Sequence, residues 1–170
     1  VSGVFAQTGI NLASFDFEVV PSTAEIGNDL EITGGFLWMY DGIRPVEHGF
    51  HVWPEDITVT TATTGGHIAD QIYYYVATYE WTDAQGNLHR SAPSVPMTVT
   101  TTGGTTSVNT INVPFLRQTV KTNVRIVLYR WSTAQPIYYQ VSTVAAPNIN
   151  LPTSSANSIA IVDDVADASI

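Results

Sequence analysis

Residues 73–94 read YYYVATYEWTDAQGNLHRSAPS, and this stretch decides the fold. Eight of its first nine residues are aromatic, β-branched or alanine. Such side chains suit a pleated, half-buried surface. The polar run Asp83 to Asn87 follows. It carries Gly86, which can take the left-handed backbone conformation that a four- or five-residue hairpin loop needs. Alternation places Tyr75, Ala77 and Tyr79 on one face of the strand, with Tyr74, Val76 and Thr78 on the other. The segment ending in Ser91-Ala92-Pro93-Ser94 opens the return strand.

Working outward, the same grammar recurs from residue 57 to the C-terminus. Short alternating runs are separated by Gly, Pro, Asn and Asp, and no helical-length window keeps apolar residues at i, i+3, i+4 and i+7. The spacing predicts seven strands, at 57–63, 71–82, 88–100, 107–115, 123–131, 136–144 and 158–163. Val124, Ile126 and Leu128 share one face, with Arg125, Val127 and Tyr129 opposite. Ile111, Val113 and Phe115 share another, with Asn112 and Pro114 opposite. Pro114 marks an edge or a strand end because it has no N–H to donate. Tyr79, Ile126 and Leu128 are expected in the core. Seven short strands over about 110 residues match an immunoglobulin-like count. The expected fold class is all-β, a two-sheet antiparallel β-sandwich.

Residues 1–53 differ. The runs Phe36–Tyr40 and Pro45–Phe50 flank Asp41-Gly42, a hairpin signal of the type I′ kind. A hairpin is expected at 35–50 and an extra strand at 15–20. Pro54 and Glu55-Asp56 read as a junction, dividing a hairpin segment, 1–53, from a sandwich, 54–170. The opening VSGVFAQTGI has neither an initiator Met nor a basic n-region, so the chain is expected to be a fragment or a processed product whose start is not a natural start of translation.

Composition narrows the partners. The net charge is −9, from six basic and fifteen acidic residues, and Lys121 is the sole lysine. A nucleic-acid partner needs a basic footprint, and this charge repels phosphate. No run of about 18 apolar residues is present to span a bilayer. There is no cysteine.

Chemistry-bearing constellations are few. Glu47, His48 and His51 lie close in sequence, but zinc needs three or four converging ligands, and residues i and i+3 of a strand face opposite ways. Asp163, Asp164 and Asp167, with Glu55 and Asp56, raise calcium, but the EF-hand spacing is absent, and carboxylates near a chain end are expected to be solvated. Glu80 and Asp83 are the carboxylates a glycosidase reading would use. They fit better as a strand end and a turn residue. No GxSxG, HExxH, GxGxxG or P-loop occurs. The expectation is no catalytic residues, no metal and no cofactor. The rings of Tyr73, Tyr74, Tyr75, Tyr79, Trp81, Tyr129, Trp131, Tyr138 and Tyr139 are expected mostly in the core and at its rims.

YYYVATYEWTDAQGNLHRSAPS, then VRIVLYRWSTAQPIYYQVSTV and IAIVDD, together resemble a fibronectin-III-like domain found in tail and other virion proteins of bacteriophages. The preceding GGFLWMYDGIRPVEHGFHVWPE looks like the last blade-type hairpin of a larger propeller-like tail protein. The likeness covers residues 51–165, and more loosely 30–50. It implies a fold and a virion setting, with no active site. It also implies other tail subunits as partners and an oligomeric state in the particle. The competing expectation is a module that binds a host-surface glycan or receptor, borne by a phage or secreted by a bacterium. Coplanar, exposed rings of Trp53, Trp81 and Trp131 in one groove would favour it.

Overall fold

The structure is a computed structural model that describes residues 3–7, 10–15, 20–27, 29–63, 70–102, 107–141 and 147–170. The described residues form an all-β chain. Strands β1 (Gly3–Gln7) and β2 (Ile10–Phe15) pair as an antiparallel ribbon. Strands β3 (Thr23–Ile26), β4 (Asp29–Ile32), β5 (Trp38–Tyr40) and β6 (Pro45–Glu47) form a four-stranded antiparallel sheet in that order. Then follow β7 (Thr58–Ala62), β8 (Ile72–Thr82), β9 (Leu88–Arg90), β10 (Met97–Thr100), β11 (Val108–Pro114) and β12 (Arg125–Ser132). The last are β13 (Tyr139–Gln140), β14 (Asn148–Ile149) and β15 (Ser158–Asp163).

The C-terminal strands make two antiparallel sheets. One runs β7-β11-β15. The other runs β10-β8-β12-β13, with β9 also on β8 and β14 also on β12. In the pairing of β8 with β12, Tyr79 opposes Ile126, Ala77 opposes Leu128 and Tyr75 opposes Arg130. Opposed residues share a face, so these pairs point together toward the other sheet. There they meet Ile111, Val113 and Ile161 in one apolar cluster. The faces expected for β8, β11 and β12 are the observed ones, and Tyr79, Ile126 and Leu128 are buried. Pro114 ends β11, opposite Ser158. The order of strands is the chain's own. The first, fourth and seventh predicted runs share one sheet, whereas an immunoglobulin domain groups the first, second, fourth and fifth.

The predicted strand 88–100 is broken in two, for a physical reason. Ala92-Pro93 and Pro96 cannot complete a ladder, because proline has no N–H. Two buried serines bridge the gap. The N–H groups of Ser91 and Ser94 donate to the carbonyls of Tyr79 and Ala77, each at 2.9 Å. Their hydroxyls accept the N–H groups of Tyr79 and Ala77 at 3.0 Å. The SAPS motif therefore continues the sheet while the backbone steps away from it.

Residues 20–53 hold more structure than expected, since β3 and β4 were not foreseen. The hairpin of β5 and β6 lies within 35–50, but its turn is not the two-residue type. Tyr40 pairs with Pro45 across a four-residue connection. Gly42 takes a φ of 93°, and the Asp41 carboxylate accepts the N–H groups of Ile43 and Arg44 at 3.0 Å each. An aspartate that caps its own turn replaces the I′ geometry. The expected strand 15–20 keeps only its first residue, Phe15, at the end of β2; residues 16–19 lie outside the described residues. The expected strand 136–144 contributes only Tyr139–Gln140 as strand, and 142–146 lie outside the described residues.

Candidate functional site

The densest cluster of ionisable groups grows from the register of β12. Alternation that buries Ile126 and Leu128 also turns Arg130 inward, where it is 2 % exposed. Its Nη1 donates to Asp163 Oδ1 and Oδ2 at 2.8 and 2.7 Å and to the Val165 carbonyl at 2.8 Å. Its Nη2 stands 2.9 Å from Asp167 Oδ1, a charge contact outside hydrogen-bond angles. The guanidinium lies 5.4 Å over the Tyr73 ring. The Tyr75 hydroxyl donates to Asp163 at 2.6 Å and accepts from Asn109 Nδ2 at 2.9 Å. The Thr61 hydroxyl in turn donates to Asn109 Oδ1 at 2.7 Å. Tyr73 donates to Asp167 at 3.2 Å, and Gln71 donates to both. Both sheets of the sandwich and the C-terminal residues meet here.

Burial pushes the Tyr73 phenol up to about 12 and drives Tyr75 higher still, with neighbouring carboxylates adding to both. The two phenols are therefore firm donors at neutral pH. Each carboxylate is held by the guanidinium and by at least one of these donors. Nothing in the cluster is left to act as a nucleophile or base, so its chemistry is cohesion.

A second hub joins the β3–β6 sheet to the sandwich. Lys121 is 3 % exposed. Its ammonium donates to the carbonyls of Glu47 and, at 2.8 Å, Gly49, and lies 3.2 Å from Glu47 Oε1. It sits 5.4 Å over the Phe50 ring and 5.2 Å over the Trp81 ring. The Glu47 carboxylate also takes the Thr119 hydroxyl and the Val120 N–H. Burial pulls the Lys121 pKa below its ordinary value, and the Glu47 charge only partly restores it. A lysine nucleophile needs a free lone pair and an approach path. Here all three donors have acceptors. Asp41 Oδ2, which accepts the Ala84 N–H at 3.2 Å, and the Arg44–Thr122 bond tie the same sheet down further.

The loop at 83–87 closes on Asp83. Its carboxylate accepts the N–H groups of Gln85 and Asn87 at 2.9 and 2.7 Å, the Asn87 amide at 2.9 Å, and contacts His89 Nε2 at 3.1 Å. Burial pushes Asp83 up, but these hydrogen bonds outweigh it and leave the carboxyl below its ordinary range. Gly86 takes the expected positive φ, 90°.

The residues singled out in the sequence do not converge. Glu47 belongs to Lys121, His48 Nδ1 pairs with Glu31 at 2.8 Å, and the His51 ring packs edge-on against Phe36. Among the described residues, no group of three His, Asp or Glu side chains is placed to hold a metal. The expectation that the C-terminal carboxylates are solvated is corrected for Asp163, which is fully buried, and for Asp167, which faces Arg130. Glu80 lies on the outer face of β8, paired with Arg90 at 2.7 Å and Arg125 at 3.2 Å, while Asp83 holds its loop. Trp81 is 3 % exposed in the core, and Trp131 packs edge-on against Tyr74 at 5.0 Å. Trp53 and Trp81 line separate clefts, one beside Pro54 and one beside Asp41, and Trp131 lines neither, so the three rings share no groove.

Arg130 and Lys121 were missed as hubs. The signal for Arg130 was present, because it continues the parity of Ile126 and Leu128. Lys121 lies in a connection, where no periodicity marks burial. Compared with protein-family models, with curated proteins and with solved structures, the chain matches none.

Proposed function

We propose that the chain is a structural module of a bacteriophage tail or related virion protein, acting through contacts with other chains rather than through catalysis. The observation that carries the reading is the use of the buried charges. Arg130, with Asp163 and Asp167, fastens the two sheets and the C-terminal residues to one another, and Lys121, with Glu47, fastens the preceding sheet to the sandwich. Buried ion networks of this kind fix geometry and resist partial opening, because breaking one leaves an unpaired charge in the interior. A module that must keep its shape in a particle needs that property. The motif likeness of residues 51–165 supplies the virion setting; it rests on residues such as Tyr75, Trp81 and the SAPS serines, and not on strand order.

The test is immunogold labelling. Antibodies raised against the folded chain should decorate intact particles from the producing culture at a fixed position along the tail. Label confined to the soluble secreted fraction, with selective micromolar retention of the chain on a glycan array, would replace the assembly reading with a recognition one.

A further inference from the structure

We propose that the cleft beside Trp53 is a docking site for an arginine or lysine side chain carried on an exposed segment of a partner protein. The cleft encloses about 410 Å³, within the range of sites that take small groups. Its walls are Trp53, Pro54, Val95, Pro96 and Met97, and Ile57 lies at its base. Trp53 is 42 % exposed and Val95 78 %, so the apolar surface is open. Glu55, Asp56 and Ser94 complete the lining. Residues 52–57 belong to no strand, so strict alternation does not govern them, and Glu55 and Asp56 both contribute to one cleft. Asp56 takes a φ of 53°, in the left-handed region, so the backbone turns sharply at the cleft.

Charge selects the occupant. The side chains of Trp53, Glu55 and Asp56 form no hydrogen bond or ion pair with a described residue. Every Lys and Arg of the chain is engaged elsewhere. Arg44 binds Thr122, Arg90 and Arg125 bind Glu80, and Arg117 binds the carbonyls of Pro152, Ser154 and Ala156. Lys121 and Arg130 are buried in their hubs. The chain therefore holds no free Lys or Arg to meet these two carboxylates, and its net charge of −9 draws cations from outside. An indole face with adjacent carboxylates is chemistry that suits a guanidinium or ammonium with an aliphatic stem. The origin of that side chain in a partner protein rests on the assembly reading; the chemistry rests on the cleft alone.

The experiment uses the full chain and blocked tripeptides Gly-Arg-Gly, Gly-Lys-Gly and Gly-citrulline-Gly, reading the indole N–H resonances by NMR, with Trp53→Phe to assign its signal. Arginine and lysine peptides should shift the Trp53 signal saturably, leaving Trp81 unmoved. The citrulline peptide, which has the shape without the charge, should not. Glu55→Gln with Asp56→Asn should weaken the effect about threefold or more, the scale of two exposed charge contacts. Equal shifts from arginine and citrulline peptides, a shift that survives the double variant, or no shift at all would overturn the proposal. If the peptides bind as expected while antibodies leave particles bare, the cleft stands and the assembly reading falls. If particles are labelled and no peptide shifts Trp53, the cleft alone falls.

Discussion

Replacing Arg130 by methionine tests whether the buried charge cluster holds the sandwich together. Methionine fills much of the volume but removes three hydrogen bonds of 2.7–2.8 Å to Asp163 and Val165 and the contact with Asp167. Asp163, with no exposed surface, keeps only the Tyr75 hydroxyl at 2.6 Å and the Val165 N–H at 3.3 Å. Breaking a buried pair from one side costs roughly 3–5 kcal/mol, because the orphaned charge stays in the interior. For a chain of this size that is a fall in Tm of roughly 6–20 °C. The loss has a pH signature. A buried carboxylate without its counter-ion has a raised pKa, so the folded variant holds a proton that the unfolded chain releases near 3.9. Its stability relative to the parent is therefore best at low pH and declines as pH rises through about 4 toward neutrality. Adding Asp163→Asn should recover part of the loss at pH 7, since it removes the deeper of the two carboxylates that lose Arg130, while Asp167 keeps its bonds from Tyr73 and Gln71. Calorimetry of the parent and both variants at pH 4 and pH 7 decides it. A Tm within about 2 °C of the parent at pH 7, or a deficit that ignores pH, would refute the cluster as a source of cohesion.

Leu128→Ala, at a fully buried position opposite Ala77, should cost roughly 2–5 kcal/mol in urea unfolding. A loss typical of a surface change, below about 0.5 kcal/mol, would mean the inner face of β12 is wrongly assigned. Burial holds Tyr73 and Tyr79 at about 12 and Tyr75 higher, while unfolded tyrosine titrates near 10. The folded chain thus binds more protons above pH 10, and stability should fall by about 1.4 kcal/mol per tyrosine per pH unit from there toward 12. Lys121, with its folded pKa lowered, acts in the opposite sense as pH rises toward 10.5 and offsets part of the fall. Unfolding free energies unchanged between pH 9.5 and 11 would contradict the phenol burial. Lys121→Met should strip hydrogen-exchange protection from β4–β6 while β8 and β12 keep theirs; uniform loss would show that the clamp does not act locally.

Alternation revealed what alternation governs. The inner face of β11 was legible because its burial alternates cleanly, those of β8 and β12 because their apolar and aromatic residues keep one parity although the other face is largely covered too, and the loop at Gly86 was legible because one residue there needs positive φ. The break at Ser91–Ser94 was not, because side-chain hydroxyls completing a ladder leave no periodic trace. Strands β3 and β4 are four residues each, and β3 is exposed throughout, so no apolar pattern marked it. The hubs were hardest. A buried Arg130 or Lys121 looks like a surface residue until the residues that neutralise it, Asp163 and Glu47, are brought in from 33 and 74 positions away. The free carboxylates beside Trp53 were visible as a junction, but only the fold shows that every Lys and Arg is already committed.

The central pairing of β8 with β12 has a consequence in time. Glu80 and Arg125 are 45 positions apart, and Tyr75 waits for Asp163 across 88. At a synthesis rate of about 5–20 residues per second, β12 follows β8 out of the ribosome by roughly 2–9 s. During that interval β8 can pair only with β9 and β10, and its inner row of Tyr73, Tyr75, Tyr79 and Trp81 stays uncovered until β11 arrives to pair with β7. The nascent chain therefore carries a bare aromatic ribbon with one unpaired edge, the form most prone to join its neighbours on a polysome. Slower growth temperatures lengthen the wait but weaken the apolar attraction between such ribbons. Yield in the soluble fraction should accordingly depend on how fast residues 125–132 arrive, more than on how stable the finished sandwich is.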